Sequence, residues 1–240
     1  MKTVLLTTET LHHAYFVREV NKRYPFELVI IQRNTFKAPF DTSHSFETER
    51  DEYERKELFK GKDVMVQDFA PVLKVNSINE DHTVERLKEV NPDIIIVFGT
   101  DKIAAHVLEA FPNRFINLHG GDPEYYRGLD SHLWAIYHND FEGLAATIHV
   151  MNDELDDGEI LQMLPINIQA VENISQLRRY NTDVCIELTL NILNQLEQGQ
   201  GMDAAEQSQK GRYYSFMPSA LKDICVKNFE RYKRKQYVAN

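Results

Sequence analysis

Short apolar runs alternate along this chain with segments of helical periodicity. The runs are typical of buried strands and lie at residues 2–7, 26–32, 73–78, 93–99 and 115–119. Apolar residues that recur every three or four positions predict the helices between them, at about 11–20, 81–90 and 103–110. Strands that alternate with helices predict an α/β fold in which a doubly wound, mostly parallel sheet is covered by helices.

The second half of the chain continues with fewer strands. A strand is predicted at 161–168, a long amphipathic helix carries Ile174 through Leu196, and a polar linker covers 198–210. A short aromatic stretch and a helix from Ser219 to about Lys233 follow. We therefore predict a main domain over residues 1–197. Residues 198–240 are predicted to form a linker and a C-terminal segment, packed on the main domain or at a dimer interface.

One segment does not fit the alternation. Residues 41–62 mix acidic and basic side chains, a pattern that predicts an exposed helix outside the sheet rather than a core element.

The charge composition argues against one class of ligand, the nucleic acids. The chain has 27 Lys and Arg against 37 Asp and Glu, and the resulting net charge of −10 opposes unspecific binding to a polyanion such as tRNA. A basic stretch near the C-terminus is interpreted as the solvated face of the last helix. It contains Lys227, Arg231, Lys233, Arg234 and Lys235.

Only two cysteines occur, and no apolar run approaches the length that spans a bilayer. These features predict a soluble protein of the cytoplasm with neither a disulfide framework nor a structural zinc site. The chain also has neither a GxGxxG nor a P-loop motif, which argues against the common nucleotide-binding folds.

Polar groups follow two of the predicted strands. Ligands of doubly wound sheets bind beyond the carboxyl ends of the strands, where this chain places GTDK at 99–102 and HGGD at 119–122. Asn117 and His119 are two residues apart, so both side chains are predicted to project from one face of their strand. An isolated pair of this kind is more often structural. The glycine-rich loop that follows and the acidic turn ELDDG at 154–158 make a reactive site the better interpretation.

This region resembles the signature of the folate-dependent formyltransferases, a family that includes enzymes of purine synthesis, methionyl-tRNA formyltransferases and nucleotide-sugar N-formyltransferases. The motifs that carry the resemblance are Asn117-Leu118-His119, Tyr126-Arg127-Gly128, Thr147-Ile148-His149 and Leu155-Asp156-Asp157-Gly158. The match is specific over the central third of the chain and looser over the N-terminal part.

The resemblance implies a catalytic centre of Asn117, His119 and Asp156, with Asp157 as the alternative carboxylate. An amine that attacks a formyl carbon produces an oxyanion and must lose a proton. Asn117 would donate to that oxyanion, and His119 beside Asp156 would carry positive charge and relay the proton. His149 would support the site, and no metal is expected.

The resemblance also implies contacts for two substrates. 10-Formyltetrahydrofolate, the formyl donor, would contact Gly99, Lys102, Ile103, Ala104, Asp153, Leu155 and Asp157. The amine acceptor would contact Gly120, Gly121, Asp122, Tyr126 and Arg127. For Lys102 and Arg127, a structural ion pair is an equally good interpretation.

The acceptor loop departs from the family. Where many relatives have Ser-Leu-Leu-Pro after the histidine, this chain has Gly-Gly-Asp-Pro. That loop and the aromatic stretch Arg212 to Phe216 most resemble sugar N-formyltransferases, which implies a nucleotide-linked 4-amino-dideoxy sugar such as GDP-perosamine, a role in O-antigen and lipopolysaccharide synthesis, and a homodimer.

Three alternatives stay open. They are glycinamide ribonucleotide formyltransferase, formyltetrahydrofolate hydrolase, and a non-catalytic folate- or nucleotide-binding protein. Methionyl-tRNA formyltransferase is disfavoured by the net charge and by the absence from this sequence of that enzyme's further C-terminal domain.

Overall fold

A computed structural model describes residues 1–239 as nine strands and seven α-helices. The strands are β1 (Thr3–Thr8), β2 (Phe26–Gln32), β3 (Val72–Val75), β4 (Ile94–Phe98), β5 (Phe115–His119), β6 (Tyr126–Gly128), β7 (Ala145–Val150), β8 (Ile160–Pro165) and β9 (Arg212–Tyr214). The helices are α1 (Leu11–Asn21), α2 (Ser45–Phe59), α3 (Asp81–Val90), α4 (Ala105–Glu109), α5 (Ser131–Tyr137), α6 (Leu177–Glu197) and α7 (Ser219–Ala239).

Seven strands form one sheet in the order β3-β2-β1-β4-β5-β7-β8. The first five of these pair in parallel, as predicted, and confirm the doubly wound, mostly parallel fold. The last two do not follow the predicted alternation, since β7 pairs antiparallel to β5 and β8 antiparallel to β7. Two parallel neighbours need a crossover, usually a helix, that brings the chain back to the end of the sheet where the first strand began. No helix lies between β7 and β8, so these two strands pair antiparallel.

Both faces of the central strands of the sheet are buried. On β4, Ile94, Ile96 and Phe98 pack into the core that includes α1 and α6, whereas Ile95 and Val97 pack into the core with α3 and α4. A strand covered on both faces is almost entirely apolar, which is why the run at 93–99 is easy to recognise in the sequence.

The prediction that the charged segment 41–62 stays outside the core is wrong. Its helix α2 buries Phe46, Leu58 and Phe59, and Glu54 is completely buried. Glu54 Oε1 accepts a hydrogen bond of 2.7 Å from Nε of Arg178 on α6. A buried carboxylate needs a partner of this kind, and that partner lies too far along the chain for local charge patterning to reveal it.

The C-terminal residues pack against the rest of the chain. β9 pairs in parallel with β6, and α7 packs against α5 through Cys225 and Phe229. Ala205 forms an isolated antiparallel bridge with Ile160. The final helix continues to Ala239, past the predicted end near Lys233, and α4 is shorter than the predicted 103–110. Among residues 1–239, no helix is both long and apolar enough to cross a membrane.

Candidate active site

Asn117 and His119 lie at the carboxyl end of β5, where the sheet changes from parallel to antiparallel pairing. The register places His149 of β7 opposite Asn117, and Thr147 opposite His119. Side chains of directly opposite residues are close neighbours on one face of a sheet. Two sheet strands therefore supply four polar residues to one small region.

The turn after β7 brings Asp156 to the same region. Asp156 adopts the left-handed conformation, with φ of 49°, which aspartate tolerates better than most residues. The chain at Gly158 passes so close to β7 that a Cβ atom there would lie 1.7 Å from the carbonyl oxygen of Val150. Only glycine permits this approach, so Gly158 fixes where the turn can carry the carboxylate.

The Asp156 carboxylate lies at the centre of the cluster and is 8% exposed. Its Oδ2 accepts from the backbone N–H of Gly128 at 2.8 Å and lies 3.4 Å from His119 Nδ1, while Oδ1 accepts from Asn117 Nδ2 at 3.2 Å. Burial alone would raise the pKa of Asp156, but the imidazoles of His119 and His149 and the Gly128 N–H together lower it below its ordinary value. Asp156 is therefore a carboxylate anion at neutral pH.

His119 has a partner for each ring nitrogen. Nε2 lies 2.7 Å from the carbonyl oxygen of Tyr126, which can only accept, so Nε2 carries a hydrogen. Nδ1 faces the Asp156 carboxylate. A proton on Nδ1 would make the ring a cation held between two acceptors. The geometry thus suits His119 to an electrostatic role, and a proton relay would require one of these contacts to change.

Asn117 uses both of its amide hydrogens within the protein. One points to Asp156 Oδ1, and the other points to His149 Nε2 at 3.1 Å. His149 Nδ1 lies 2.9 Å from the carbonyl oxygen of Val150 and therefore carries the ring hydrogen, which leaves Nε2 free to accept. For Asn117 to donate to a substrate oxygen, one of these two hydrogen bonds must be redirected.

The structure distinguishes the two aspartates of the turn. Asp156 contacts Asn117 and His119, whereas Asp157 lies 3.3 Å from Lys210 and 3.7 Å from Arg127. Geometry therefore favours Asp156 as the site carboxylate. Arg127 is 6% exposed and donates from Nε to the carbonyl oxygen of Leu155 at 2.8 Å, so its guanidinium holds this turn in place.

The predicted acceptor loop is attached to the site from two sides. Thr147 Oγ1 donates to the carbonyl oxygen of Gly121 at 2.8 Å, and Asn181 Nδ2 of α6 donates to that of Gly120 at 3.2 Å. A Cβ atom on Gly121 would lie 2.6 Å from Ser131 and 3.0 Å from His119 Nε2. Asp122, at 8% exposure, follows, and burial raises the pKa of its carboxyl group.

Comparison of the sequence with known protein families gives one match that includes this site. Residues 38–188, more than half of the chain, match the family model described as formyl transferase. The chain belongs to the formyl transferase family. The family prediction made from the sequence motifs is confirmed, and Asn117, His119 and Asp156 all lie within the matched region.

The curated relatives are named for methionyl-tRNA as acceptor. Methionyl-tRNA formyltransferase from Thermotoga sp. (strain RQ2) is 28% identical over 162 residues, which cover 67% of this chain and 50% of that protein. The chain thus spans about half the length of the curated relatives it matches.

Two solved structures share the fold. HypX from Aquifex aeolicus, solved with tetrahydrofolic acid, has a TM-score of 0.58 at 18% identity and covers 92% of this chain and 31% of its own. The N-formyltransferase from Helicobacter canadensis, solved with folinic acid and dTDP-3-aminofucose, has a TM-score of 0.56 at 15% identity and covers 90% and 71%.

The residues predicted to contact folate lie in two loops of this formyltransferase fold. Gly99 and Lys102 follow β4, with Lys102 exposed, while Ile103 is 1% exposed and belongs to the core. The backbone N–H of Ala104 donates to Asn79 Oδ1 at 2.8 Å. Asp153 and Leu155 are exposed on the turn that carries Asp156. The buried side chain of Ile103 leaves only its backbone for a ligand, and the binding roles stay predictions.

Sequence reasoning missed the contribution of the predicted linker. Gln207 Nε2 donates to the carbonyl oxygens of Asp156 and Gly158, at 3.0 and 2.9 Å, and Lys210 pairs with Glu154 and Asp157. No motif marks these residues, because they hold the turn through backbone carbonyl oxygens and through the carboxylates of Glu154 and Asp157. Within residues 1–239, no group of three or more His, Cys, Asp or Glu residues could hold a metal ion.

The close approach at Gly158 gives a testable prediction. Gly158→Ala should lower the free energy of unfolding by about 3 kcal/mol, because the added methyl group collides with the Val150 carbonyl and displaces the turn. Denaturant titration measures this change. Gly201→Ala is the matched control, since a Cβ atom there meets nothing within 4 Å. Equal stability of the two variants would show that the turn accommodates a side chain.

Proposed function

We propose that this protein transfers a formyl group from 10-formyltetrahydrofolate to the amine of a nucleotide-linked amino-dideoxy sugar. The observation that carries the proposal is the contact of Asp156 with both Asn117 and His119 inside the region that matches the formyl transferase family. Family membership supports formyl transfer, and the acceptor class rests on the loop and on the C-terminal segment.

Asn117, His119 and Asp156 would have separate roles in the proposed reaction. Attack by an amine places negative charge on the formyl oxygen, and donors fixed before the reaction stabilise that charge best. Asn117 would turn one N–H from its protein partner to this oxygen. His119, held by the Tyr126 carbonyl, would place positive charge nearby, and the Asp156 carboxylate would balance that charge. As the bond from the formyl carbon to the folate nitrogen breaks, the proton lost by the attacking amine would pass to that nitrogen, and tetrahydrofolate would leave.

The chain contains groups that fit a folate beside this centre. The turn residues Asp153 and Leu155 are exposed next to Asp156, and the loop at 99–102 lies at the same edge of the sheet. Gln207 Oε1 is buried beside the turn and has no hydrogen-bond partner among the described residues. A ligand with N–H donors, such as a pterin, would satisfy an acceptor of this kind.

A sugar nucleotide is favoured as acceptor by what surrounds the loop at Gly120 to Tyr126. The backbone at Gly211 lies directly against Pro123 and Tyr125, so the aromatic C-terminal stretch adjoins the acceptor loop. Tyr125 and Tyr213 are 54% and 52% exposed, and exposed aromatic faces commonly stack on sugars and bases. Tyr214, in contrast, packs on Trp134 with ring centroids 4.9 Å apart and is structural.

Methionyl-tRNA is the second candidate acceptor, because the curated relatives at 28–31% identity are methionyl-tRNA formyltransferases. The net charge of −10 works against a polyanionic acceptor. GDP-perosamine as the specific sugar, O-antigen synthesis, a homodimer and a cytoplasmic location stay predictions.

The test is formyl transfer by the purified full chain from 10-formyltetrahydrofolate to a panel of amines. The panel contains GDP-perosamine, dTDP-4-amino-4,6-dideoxyglucose, its 3-amino counterpart, glycinamide ribonucleotide and methionyl-tRNA. We expect release of tetrahydrofolate together with the mass gain of one formyl group on a sugar nucleotide. His119→Ala is the control and should abolish the signal while the variant remains folded.

Each other result would identify a different activity. Transfer only to glycinamide ribonucleotide, or only to methionyl-tRNA, would show that this molecule is the acceptor and that a sugar nucleotide is not. Folate release with no amine present would indicate a hydrolase. Tight folate binding without release under any condition would contradict an enzymatic role.

A further inference from the structure

A second concave region lies at the carboxyl edge of the sheet, away from the Asn117 cluster. It is a cavity of about 410 Å³ where β1, β2 and β3 end. Its lining is polar and charged and includes Thr8, Glu9, Thr10, Gln32, Arg33 and Lys74. In doubly wound sheets this edge is where ligands bind, and none of these residues takes part in the Asn117, His119 and Asp156 network.

Gln32, one of the residues that line this cavity, has a buried side-chain oxygen without a hydrogen-bond partner in the part of the chain that the structure describes. The residue is 2% exposed, and its Nε2 donates to the carbonyl oxygen of Asn34 at 2.7 Å and to Asp101 Oδ2 at 2.5 Å. Those two bonds fix the amide, so Oε1 is an acceptor of known orientation. Among the described residues it has no hydrogen-bond partner. A buried acceptor left without a partner is costly, and a ligand hydroxyl or N–H would remove that cost.

Positive charge lies beside this acceptor. Arg33, the next residue along the chain, is exposed and makes no ion pair or side-chain hydrogen bond with any residue that the structure describes. Lys74 of β3 lies 3.2 Å from Glu9 Oε2, so Glu9 neutralises it in part. A guanidinium that has no protein partner and lies at the rim of a cavity can bind a phosphate group through two parallel hydrogen bonds.

An exposed aromatic ring follows the lining residues. Phe36 is 62% exposed, and its backbone N–H donates to Asp101 Oδ1 at 3.0 Å, which ties this segment to the loop after β4. Its ring is almost parallel to that of Phe216, with centroids 6.2 Å apart. Aromatic faces of this kind stack on nucleobases irrespective of base identity.

The distance between the cavity and the Asn117 cluster sets how long a ligand must be to occupy both places. In the sheet order, β1 and β2 are two and three strands away from β5, a separation of about 10–14 Å at the usual distance between strands. A ligand that joins both places must carry an amine at one end and a phosphate with hydroxyl groups at the other. A nucleoside diphosphate sugar has this form, whereas an isolated phosphate does not reach.

We propose that this cavity is the nucleotide subsite of the acceptor. Arg33 binds the phosphate groups, Gln32 Oε1 accepts a hydrogen bond from a ribose hydroxyl, and Phe36 contacts the base. This subsite rests on the proposed function for its link to formyl transfer. Its ligand chemistry, an anion with a hydroxyl donor and a planar ring, stands on the cavity itself.

The experiment is calorimetric titration of the full chain with GDP, UDP and dTDP, and separately with inorganic phosphate and tetrahydrofolate. Arg33→Ala should raise the Kd for a nucleoside diphosphate by about 10- to 100-fold, the range for losing a charge-assisted hydrogen bond, and Arg33→Lys should restore part of the affinity. Tetrahydrofolate binding should not change. The matched control is Lys88→Ala, because Lys88 is exposed on α3 and makes no ion pair among residues 1–239.

The outcomes separate this subsite from the proposed reaction. An unchanged nucleotide Kd in Arg33→Ala would overturn the subsite even if formyl transfer occurs. A loss of tetrahydrofolate affinity instead would show that the cavity holds the carboxylates of the folate tail. Equal affinity for inorganic phosphate and nucleotides would show an anion site without nucleotide recognition. Arg33-dependent nucleotide binding would support the subsite even if no acceptor of the panel is formylated.

Discussion

Asp156→Asn should lower the rate of formyl transfer by about 10²- to 10⁴-fold, the range for a group that governs proton transfer. The carboxylate accepts from Asn117 and from the Gly128 N–H and faces the rings of His119 and His149. An asparagine there keeps the shape of the turn but removes the negative charge that balances a protonated imidazole. Single-turnover assays of formyl transfer measure the effect.

Asp157→Asn provides the matched control one residue away. Asp157 lies on the same turn, but its carboxylate faces Arg127 and Lys210 instead of the imidazoles. At saturating formyl donor this variant should retain kcat within about threefold of the original protein, because its ion pairs contribute little and do not reach the imidazoles. Loss of a folate contact at Asp157 would instead raise the KM for the formyl donor. If Asp157→Asn were the more damaging change, Asp157 would be the catalytic carboxylate.

Asn117→Ala should lower kcat by about 10²- to 10³-fold with little change in KM, because a donor to a developing oxyanion acts on the transition state more than on bound substrate. The side chain also holds His149 and Asp156 in position, so the fold of the variant should be checked by its thermal unfolding. Steady-state kinetics with saturating formyl donor separate kcat from KM.

The comparison for Asn117 is an asparagine outside the site. Asn191 on α6 donates one side-chain hydrogen bond to Gln162, at 3.3 Å. Asn191→Ala should leave kcat unchanged. A raised KM with normal kcat in Asn117→Ala would mean that the amide binds substrate and does not stabilise the oxyanion.

Much of the sheet could be predicted from the sequence because its strands are buried on both faces. The bounds of β2 and β5 agree with the predicted runs, and β4 lies within one residue of its run at each end. The change to antiparallel pairing at β7 and the ion pair of Glu54 with Arg178 could not be predicted, because both depend on partners distant in the sequence.

In the candidate site, too, some residues could be predicted from the local sequence and others could not. The period of a strand placed Asn117 and His119 on one face, and motif resemblance added Asp156, which the structure brings within hydrogen-bonding distance of Asn117. Gln207 was not found, because a glutamine in a polar linker has no periodicity and acts here on backbone carbonyls. Gln32 was missed for a different reason, since it ends the apolar run at 26–32 and belongs to no motif.

The two hydrogen bonds from Gln207 to the turn that carries Asp156 have a consequence for synthesis of the protein. Every strand of the main sheet is complete once β8 has left the ribosome, but the turn that carries Asp156 waits about forty residues longer for Gln207 and Lys210, and β6 waits for β9. Domains acquire structure progressively during translation. A nascent chain released near residue 198 would thus hold the complete main sheet with an unsecured turn, and it would become compact before Asp156 is fixed in place.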